Sequence, residues 1–386
     1  MLSSAIPMMS SDVYAADGDI ITTISVGSTP WGIAFDSTNN RMYVVNFAAG
    51  TVSVINTATN AVVDTISVGS NAIGIAFDST NNRMYVTNWG SNTVSVINTA
   101  TNAVDATITG VGTNPWGIAF DSTNNRMYVA NDSGAKVSVI NTATNAVVDT
   151  ISVGSNAIGI AFDSTNNRMY VTNWGSNTVS VINTATNAVD ATITGVGTGT
   201  RSIAFDSTNN RMYVTNDGSN TVSVINTATN AVDATITGVG TGTRSIAFDS
   251  TNNRMYVTND GSNTVSVINT ATNAVDATIT GVGSNPYGIA FDSTNNRMYV
   301  ADNGGVKVSV INTATNAVVD TISLGSKPYD IAFDSTNNRM YVTNNAWAKV
   351  SVIDVNSVTA PAQVGTVTIT PGTDTTALSW SAPSDG

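Results

Sequence analysis

The sequence predicts an all-β protein, an eight-bladed β-propeller in which every blade is a sheet of four antiparallel strands. First, the segment AFDSTNNRMYV occurs eight times without change, and its phenylalanines recur every 42 or 43 residues, a period typical of propellers and solenoids. Second, Val, Ile, Thr and Tyr are abundant whereas good helix formers are scarce, which favours strands. Third, the two ends of the repeated region supply complementary parts of one repeat.

Each repeat contains four strand-like segments, which we name A to D. Typical versions read GIAFD, RMYVTN, TVSVIN and AVVDTISV, and polar turns or a variable loop separate them. Short strands joined by Asn, Ser, Thr and Gly turns form one antiparallel sheet. Successive residues of a strand face opposite sides, so the adjacent Val96 and Ile97 of segment C place apolar side chains on both faces. Each sheet therefore needs a neighbour on either face, and radial stacking supplies both.

The ends of the repeated region predict how the ring closes. A D-like segment, residues 19–26, precedes the first A segment, whereas the eighth repeat ends after segment C at residues 350–354. Together they make one blade of three strands plus one, which leaves no unpaired edge in the ring. Some repeats carry TITGVG where others carry TISVG, and we interpret the extra residue as a bulge in segment D.

Two short segments lie outside the predicted propeller, which spans residues 19–356. Residues 1–18 contain a short apolar stretch and then Val13, Tyr14 and Ala15, an A-x-A-like pattern. We interpret them as the remnant of a signal peptide or as a disordered tail. Residues 357–386 differ in character from the repeats and are predicted to be a linker and a separate segment.

The B segments carry a recognisable motif, YVTN, which three repeats replace with YVVN, YVAN or YVAD. The five YVTN motifs begin at Tyr85, Tyr170, Tyr213, Tyr256 and Tyr341. Over roughly residues 19–356 the chain resembles the YVTN-repeat β-propellers of archaeal surface-layer and other secreted proteins, which implies an extracellular or cell-surface location. Residues 358–386 resemble the first two strands of a fibronectin type III domain, with Trp380 at the place of its core Trp. Since that fold needs about 90 to 100 residues, the segment would be truncated.

Composition excludes several kinds of chemistry. The chain has no His and no Cys, all 26 of its acidic residues are Asp, and its net charge is −12. Catalytic triads that need His, thiol catalysis, and zinc or haem sites built on His or Cys are excluded, and we predict no cofactor and no enzymatic activity. The negative charge argues against nucleic acid as a partner, and no apolar run approaches the roughly 18 to 20 residues that span a bilayer.

The positions at which the eight repeats differ are candidates for a binding site. They concentrate between segments D and A and between segments B and C, and these two connections emerge on the same face of a propeller. All five Trp residues of the predicted propeller fall on this variable face, as do the two Arg outside the NNR motif. The predicted ligand-binding residues are Trp31, Trp89, Trp116, Trp174, Arg201, Asp217, Arg244, Asp260, Tyr287, Tyr329 and Trp347.

Aromatic rings interspersed with charges are typical of surfaces that bind sugars or peptides. The leading hypothesis is therefore an exported, non-enzymatic binding or adhesion module whose partner is a glycan, a peptide or a cell-surface protein. Its oligomeric state is left open. An alternative gives the aromatics a purely structural role, in which they pack over the wide end of the ring in a surface-layer or spacer protein. A third hypothesis is a lyase or lactonase with Arg201, Arg244, Asp217 and Asp260 at its centre.

The invariant polar residues are better explained by structure than by function. Asp36 and its equivalents, with Asn39 and Asn40, match no EF-hand spacing, and Asx side chains that bond their own turn explain them. The NNR arginines are predicted to pair with Asp residues of the same or the next blade. One sequon, which begins at Asn131, is a candidate glycosylation site.

Overall fold

The computed structural model describes residues 19–356, together with the backbone of residues 368–371 and 376–379. Residues 19–356 form eight four-stranded antiparallel sheets arranged as an eight-bladed β-propeller, which confirms the predicted fold class. The described residues contain no helix that is long and apolar enough to cross a membrane.

Each blade contributes one A, one B, one C and one D strand, and hydrogen bonding follows that order. The innermost strands, A, are β2 (Pro30–Asp36), β6 (Ala72–Asp78), β10 (Thr113–Asp121), β14 (Ala157–Asp163), β18 (Thr200–Asp206), β22 (Thr243–Asp249), β26 (Pro286–Asp292) and β30 (Pro328–Asp334). The B strands are β3 (Arg41–Asn46), β7 (Arg83–Asn88), β11 (Arg126–Ser133), β15 (Arg168–Asn173), β19 (Arg211–Asn216), β23 (Arg254–Asn259), β27 (Arg297–Asp302) and β31 (Arg339–Asn344).

The two outer strands of each blade complete the sheets. The C strands are β4 (Thr51–Asn56), β8 (Thr93–Asn98), β12 (Lys136–Asn141), β16 (Thr178–Asn183), β20 (Thr221–Asn226), β24 (Thr264–Asn269), β28 (Lys307–Asn312) and β32 (Lys349–Asp354). The D strands are β1 (Ile20–Ser25), β5 (Ala61–Ser67), β9 (Ala103–Ile108), β13 (Ala146–Ser152), β17 (Ala188–Ile193), β21 (Ala231–Ile236), β25 (Ala274–Ile279) and β29 (Ala317–Ser323).

The ring closes through the predicted combination of three strands and one. Strand β1, at the start of the described chain, pairs with β32 in the last blade, with Ile24 opposite Val350. Across the same closure, Arg339 Nη1 donates a hydrogen bond to the carbonyl oxygen of Thr57 in the first blade at 2.6 Å. The junction thus has the same contacts as the other blade interfaces.

The apolar core lies between blades, as the two-faced C strands predict. One cluster, for example, joins Tyr85 and Val96 of the second blade to Met127 and Val129 of the third. Polar contacts connect the blades as well: Tyr170 Oη donates to Asn230 Oδ1 of the next blade at 2.6 Å. The equivalent tyrosine bond recurs around the ring and includes the closure between the last and first blades.

The repeated Asp and Asn residues build the turns between strands A and B. Asp36 Oδ1 accepts backbone N–H bonds from Thr38 and Asn39 at 2.9 and 3.1 Å, while Asn39 Nδ2 donates to Asp36 Oδ2. Asn40 takes the left-handed conformation, at φ 51°, which Asn tolerates better than most residues. The structural interpretation of these residues is confirmed.

The extra residue of the longer repeats does not form a strand bulge. Every C–D pairing carries a register shift, in short and long repeats alike; in the second blade Val96 and Ile97 face Ala106 and Val104, so that Asp105 is skipped. The additional residue is Gly110, which follows the end of β9 and has a φ of +78°. The prediction of a bulge specific to the longer repeats is therefore wrong, because a glycine in the D-to-A connection absorbs the insertion.

Two of the predictions fall mainly outside the described residues. Residues 1–18, the predicted signal-peptide remnant, are not among them. In the C-terminal segment β33 (Thr368–Pro371) and β34 (Thr376–Ser379) pair antiparallel, whereas Trp380 lies outside the described residues. Both interpretations stay predictions.

Candidate functional site

The variable residues between segments D and A lie within the innermost strands and not in the connecting loops. Trp31, for example, is the second residue of β2, and Arg201 is the second residue of β18. The prediction of a loop position is wrong because strand A begins earlier than the GIAFD pattern indicates. These side chains therefore surround the mouth of the central channel.

A cavity of about 430 Å³ opens at this mouth, and we call it the axial cavity. Its volume falls within the range of roughly 300 to 1,000 Å³ typical of small-molecule sites. Seven of the eleven predicted binding residues line it: Trp31, Trp116, Trp174, Arg201, Arg244, Tyr287 and Tyr329. Residues from six inner strands and from a B-to-C loop thus converge on one site.

Aromatic rings from the seventh, last, first and third blades contact one another beside the axial cavity. The centroids of Trp31 and Tyr329 lie 4.4 Å apart, and those of Tyr287 and Tyr329 lie 5.5 Å apart with the rings perpendicular. Trp31 also meets Trp116 edge to face at 6.5 Å, although the blade that carries the buried Ile73 lies between them. Such contacts hold the rings in defined orientations.

The two arginines line the axial cavity beside these rings. The guanidinium carbon of Arg244 lies 3.5 Å from the centroid of the Tyr287 ring, and Arg244 Nη1 donates to Asp260 Oδ2 at 3.0 Å. Arg201 Nη1 lies 3.6 Å from Asp217 Oδ2, too far for a good hydrogen bond. Asp217 and Asp260 therefore contact the arginines but do not line the axial cavity themselves.

Of the two arginines, Arg201 has the weaker polar contacts for its guanidinium group. Burial, followed by the positive charge of Arg244, lowers the pKa of the Arg201 guanidinium. Within the described part of the chain, the guanidinium group makes an ion pair with Asp217 at 3.6 Å and no closer hydrogen bond. Its N–H groups are therefore available to a ligand.

Asp330 is a cavity residue that the repeat comparison did not single out. It lines the axial cavity and an adjoining cavity of about 330 Å³ deeper in the channel. Its position is Gly or Ser in the other seven repeats, and a Cβ on the equivalent Gly32 would lie only 2.5 Å from the carbonyl oxygen of Ile73. The signal was present in the sequence, since this is the one carboxylate at a position otherwise held by Gly or Ser.

Burial raises the pKa of the Asp330 carboxyl group to about 6, although backbone N–H groups of Ile331 and Ile33 act in the opposite direction. The Ile331 amide donates to Asp330 Oδ1 at 2.9 Å. No cation lies within ion-pair distance of this carboxylate in residues 19–356. Asp330 therefore adds a carboxylate to the site, opposite in charge to the two arginines.

Two predicted binding residues lie away from the axial cavity. Trp347 is 58% exposed, and its ring packs beside Gly325 in the preceding D-to-A connection. Trp89 is half-buried, and its Nε1 is enclosed with no hydrogen-bond partner among residues 19–356. The prediction grouped both residues with the site because they share a face, but that face extends beyond the cavity.

The threonine of the YVTN motif connects the scaffold to the site. Its hydroxyl donates to the backbone carbonyl of the variable residue in the next blade, as Thr87 does to Trp116 at 2.9 Å and Thr172 to Arg201 at 2.8 Å. The same bond fixes Arg244, Tyr287 and Trp31. Repeats without this Thr precede the blades that carry Ile73, Ile158 and Tyr329.

Other sequence candidates have structural roles in the described residues. The Asn131 side chain is fully buried, and its Nδ2 donates to Ser138 Oγ at 3.1 Å, so the sequon interpretation is wrong for the folded ring. Arg83 Nε pairs with Asp105 of its own blade at 3.1 Å, as expected of an NNR arginine. The described residues contain no cluster of three or more side chains suited to holding a metal ion.

The fold and the axial cavity define an eight-bladed β-propeller with a ligand-sized site at the end of its channel. The model of the YNCE-like β-propeller family matches residues 20–329, and the chain belongs to that family. The match supports the propeller resemblance, but neither the archaeal surface-layer type nor the fibronectin type III segment. The comparison with curated protein sequences gave no match.

Solved structures share the fold at low sequence identity. Hydrazine synthase from Kuenenia stuttgartiensis aligns with a TM-score of 0.62 and 17% identity, over 90% of this chain and 99% of that one. The computationally designed Ika8 protein gives 0.74 and 16%, over 87% and 99%. Dihydro-heme d1 dehydrogenase NirN, in complex with DHE, gives 0.72 and 13%, over 87% and 76%. At such identities the likeness shows the fold alone.

Proposed function

We propose that the protein is an exported, non-enzymatic binding or adhesion module of the cell surface, and that its axial cavity holds part of a glycan, a peptide or a neighbouring surface protein. The observation that carries the proposal is the convergence of seven variable residues on one cavity. The invariant turns at the opposite end of the blades bond one another, whereas the variable positions surround open space. Exposed aromatic and Arg side chains are the types that supply most binding energy at protein interfaces.

The hypothesis of an Arg–Asp enzyme receives less support from the site. Asp260 is hydrogen-bonded to Arg244, and neither Asp260 nor Asp217 reaches the axial cavity. An acid or base needs to come within hydrogen-bond distance of the substrate. The two propeller enzymes among the similar structures are too distant to transfer an activity, because one fold hosts many functions.

A structural role is the second candidate, and the contacts between blades favour it. The same Tyr–Asn hydrogen bond joins successive blades and also bridges the closure. A spacer or lattice component would need only this closed ring. It would have no ligand at the axial cavity, and any self-association would survive changes to the cavity residues.

A glycan and peptide array separates these two functions. Wild-type protein is expected to bind a defined subset of the array, and the combined change Trp31→Ala and Trp116→Ala is expected to abolish that binding. Trp347→Ala is the matched control, because it removes an exposed Trp from the same face outside the cavity. Binding that survives the double change but is lost with Trp347→Ala would contradict the site, and an array without any binding would contradict the function.

A further inference from the structure

We propose that the axial cavity recognises an acidic saccharide, with a uronate carboxylate held between Arg201 and Arg244. This inference rests on the proposed binding function and names the class of ligand. It follows from three properties of the cavity wall: paired guanidinium groups, an aromatic platform, and carboxylates with free acceptor positions.

The guanidinium pair provides a site for one anion. Arg244 is fixed in place by the Tyr287 ring and by Asp260, whereas the guanidinium group of Arg201 makes only a loose ion pair with Asp217, at 3.6 Å, within the described chain. The positive charge of Arg244 helps to lower the pKa of the Arg201 guanidinium, and an anion between the two arginines relieves that repulsion. A planar guanidinium matches a carboxylate with two parallel hydrogen bonds, which favours a carboxylate over a point-like anion.

The aromatic platform suits the apolar face of a sugar ring. Trp31 and Tyr329 pack at 4.4 Å beside the arginines, and both line the axial cavity. Large aromatic faces offer wide apolar contact with a polar edge. A simple carboxylic acid would leave this platform uncovered.

The remaining polar groups suit sugar hydroxyls. An ionised carboxylate has about four acceptor positions, and those of Asp330 are only partly used by backbone amides. Asp132 also lines the cavity, where its Oδ1 accepts from Asn156 Nδ2 at 3.0 Å. The hydroxyl groups of a sugar can donate to such oxygens, whereas a sulfate ion has no donor to offer them. A pyranose that carries one carboxylate meets all three requirements together.

The test is titration calorimetry with trisaccharides of galacturonate, glucuronate, mannuronate and guluronate, each compared with its methyl ester. The ester keeps the ring and hydroxyls but removes the charge. We expect at least one acid form to bind roughly 10-fold to 100-fold more tightly than its ester, the usual range for a hydrogen bond to a charged group. Arg201→Gln is expected to remove this preference. Lys327→Gln, which removes an exposed cation of the same face outside the cavity, is expected to preserve it.

The outcomes distinguish the ligand class from the function. Equal binding of acid and ester, or a preference that persists in a folded Arg201→Gln protein, overturns the acidic-saccharide assignment and leaves the binding function standing. If only peptides or neutral glycans bind, and that binding is lost with Trp31→Ala and Trp116→Ala, the acidic-saccharide assignment is again overturned and the binding function stands. If neither the saccharides nor the array components bind, the proposed function fails together with the ligand class. The melting temperature of each variant establishes that it is folded.

Discussion

Thr172 Oγ1 donates a hydrogen bond to the backbone carbonyl oxygen of Arg201 at 2.8 Å. Thr172 belongs to the repeated YVTN motif, and Arg201 is the variable residue of the next blade. The same hydroxyl accepts a bond from the Gly159 amide at 2.9 Å. A residue of the repeated motif therefore sets the position of a cavity residue that differs from repeat to repeat.

Thr172→Ala tests this connection, and Ala130 in the YVAN repeat shows that the ring accepts alanine there. We expect the free energy of unfolding to fall by about 1 kcal/mol for the lost hydrogen bonds. The preference for an acidic saccharide over its ester is expected to decrease, because Arg201 is no longer held. Thr87→Ala loses the same bonds but positions Trp116, so it should weaken both forms equally. An unchanged preference in Thr172→Ala, by calorimetry, would show that the bond has no part in recognition.

Asp330 predicts a pH dependence of binding. Because burial raises its pKa to about 6, this carboxyl group takes up a proton between pH 7.5 and 5 and stops repelling an anionic ligand. Affinity for the acid form should rise by about 2-fold to 5-fold over this range, from a charge interaction of roughly 0.5 to 1 kcal/mol in a wet cavity. Asp330→Asn should show a flat profile, at about the affinity that the wild type reaches near pH 5. A variant that keeps the wild-type pH profile would assign the effect to another group.

Asp302 predicts a pH dependence of stability. It replaces the Asn of the YVTN motif and is buried, where it accepts a bond from Ser309 Oγ at 2.6 Å. Burial raises the pKa of the Asp302 carboxyl group to about 6. Hydrogen bonds from Ser309 and from the Gly283 backbone, together with the charge of Lys307, act in the opposite direction. The folded state thus binds the proton more tightly than the unfolded state, so this stability is complete below about pH 4 and is lost as the pH rises through 6.

Asp302→Asn removes that loss. Above pH 7 the variant should be more stable than the wild type by about 1 to 3 kcal/mol, the energy of a shift of roughly one to two pKa units, and the difference should vanish near pH 4. Urea unfolding at several pH values measures it. A constant difference across the pH range would mean that the Asp302 carboxyl does not titrate as described.

The contacts between blades predict unequal effects from one repeated substitution. In the fourth blade Arg168 pairs with Asp190, so Tyr170 Oη is the hydrogen-bond donor to Asn230 Oδ1. In the first blade Arg41 Nη1 also donates to the corresponding oxygen of Asn102. Tyr170→Phe should therefore cost about 1 to 2 kcal/mol of unfolding free energy, and Tyr43→Phe distinctly less. Equal losses in urea unfolding would rule out the Arg side chain as a substitute donor.

Most of the fold could be predicted because local and long-range signals agree in every repeat. The two-faced pattern of Val96 and Ile97 requires blades on both sides, and the D-like segment at residues 19–26 requires closure with the last blade. Gly110 was misplaced because an insertion alone does not reveal whether a strand or a loop absorbs it. Its left-handed backbone favours the loop, where glycine meets no steric penalty.

The candidate site was only partly predictable. Comparing repeats finds residues that vary, and it therefore found Trp31 and Arg201. It cannot tell which residues of one face reach the axis, so it also included Trp89 and Trp347. Asp330 was missed because it directly follows the variable position, in the A segment, whose other residues match the inner-strand scaffold of the remaining repeats.

The most direct test of the central claim, that a ligand occupies the axial cavity, is the ¹⁹F NMR spectrum of the protein labelled with 5-fluorotryptophan, recorded with and without a ligand found on the array. Single Trp→Phe variants assign the signals. A saturating ligand in the axial cavity is expected to shift the signals of Trp31 and Trp116 and to leave that of Trp347 in place. A shift confined to Trp347 or Trp89, with Trp31 and Trp116 unchanged, would contradict it.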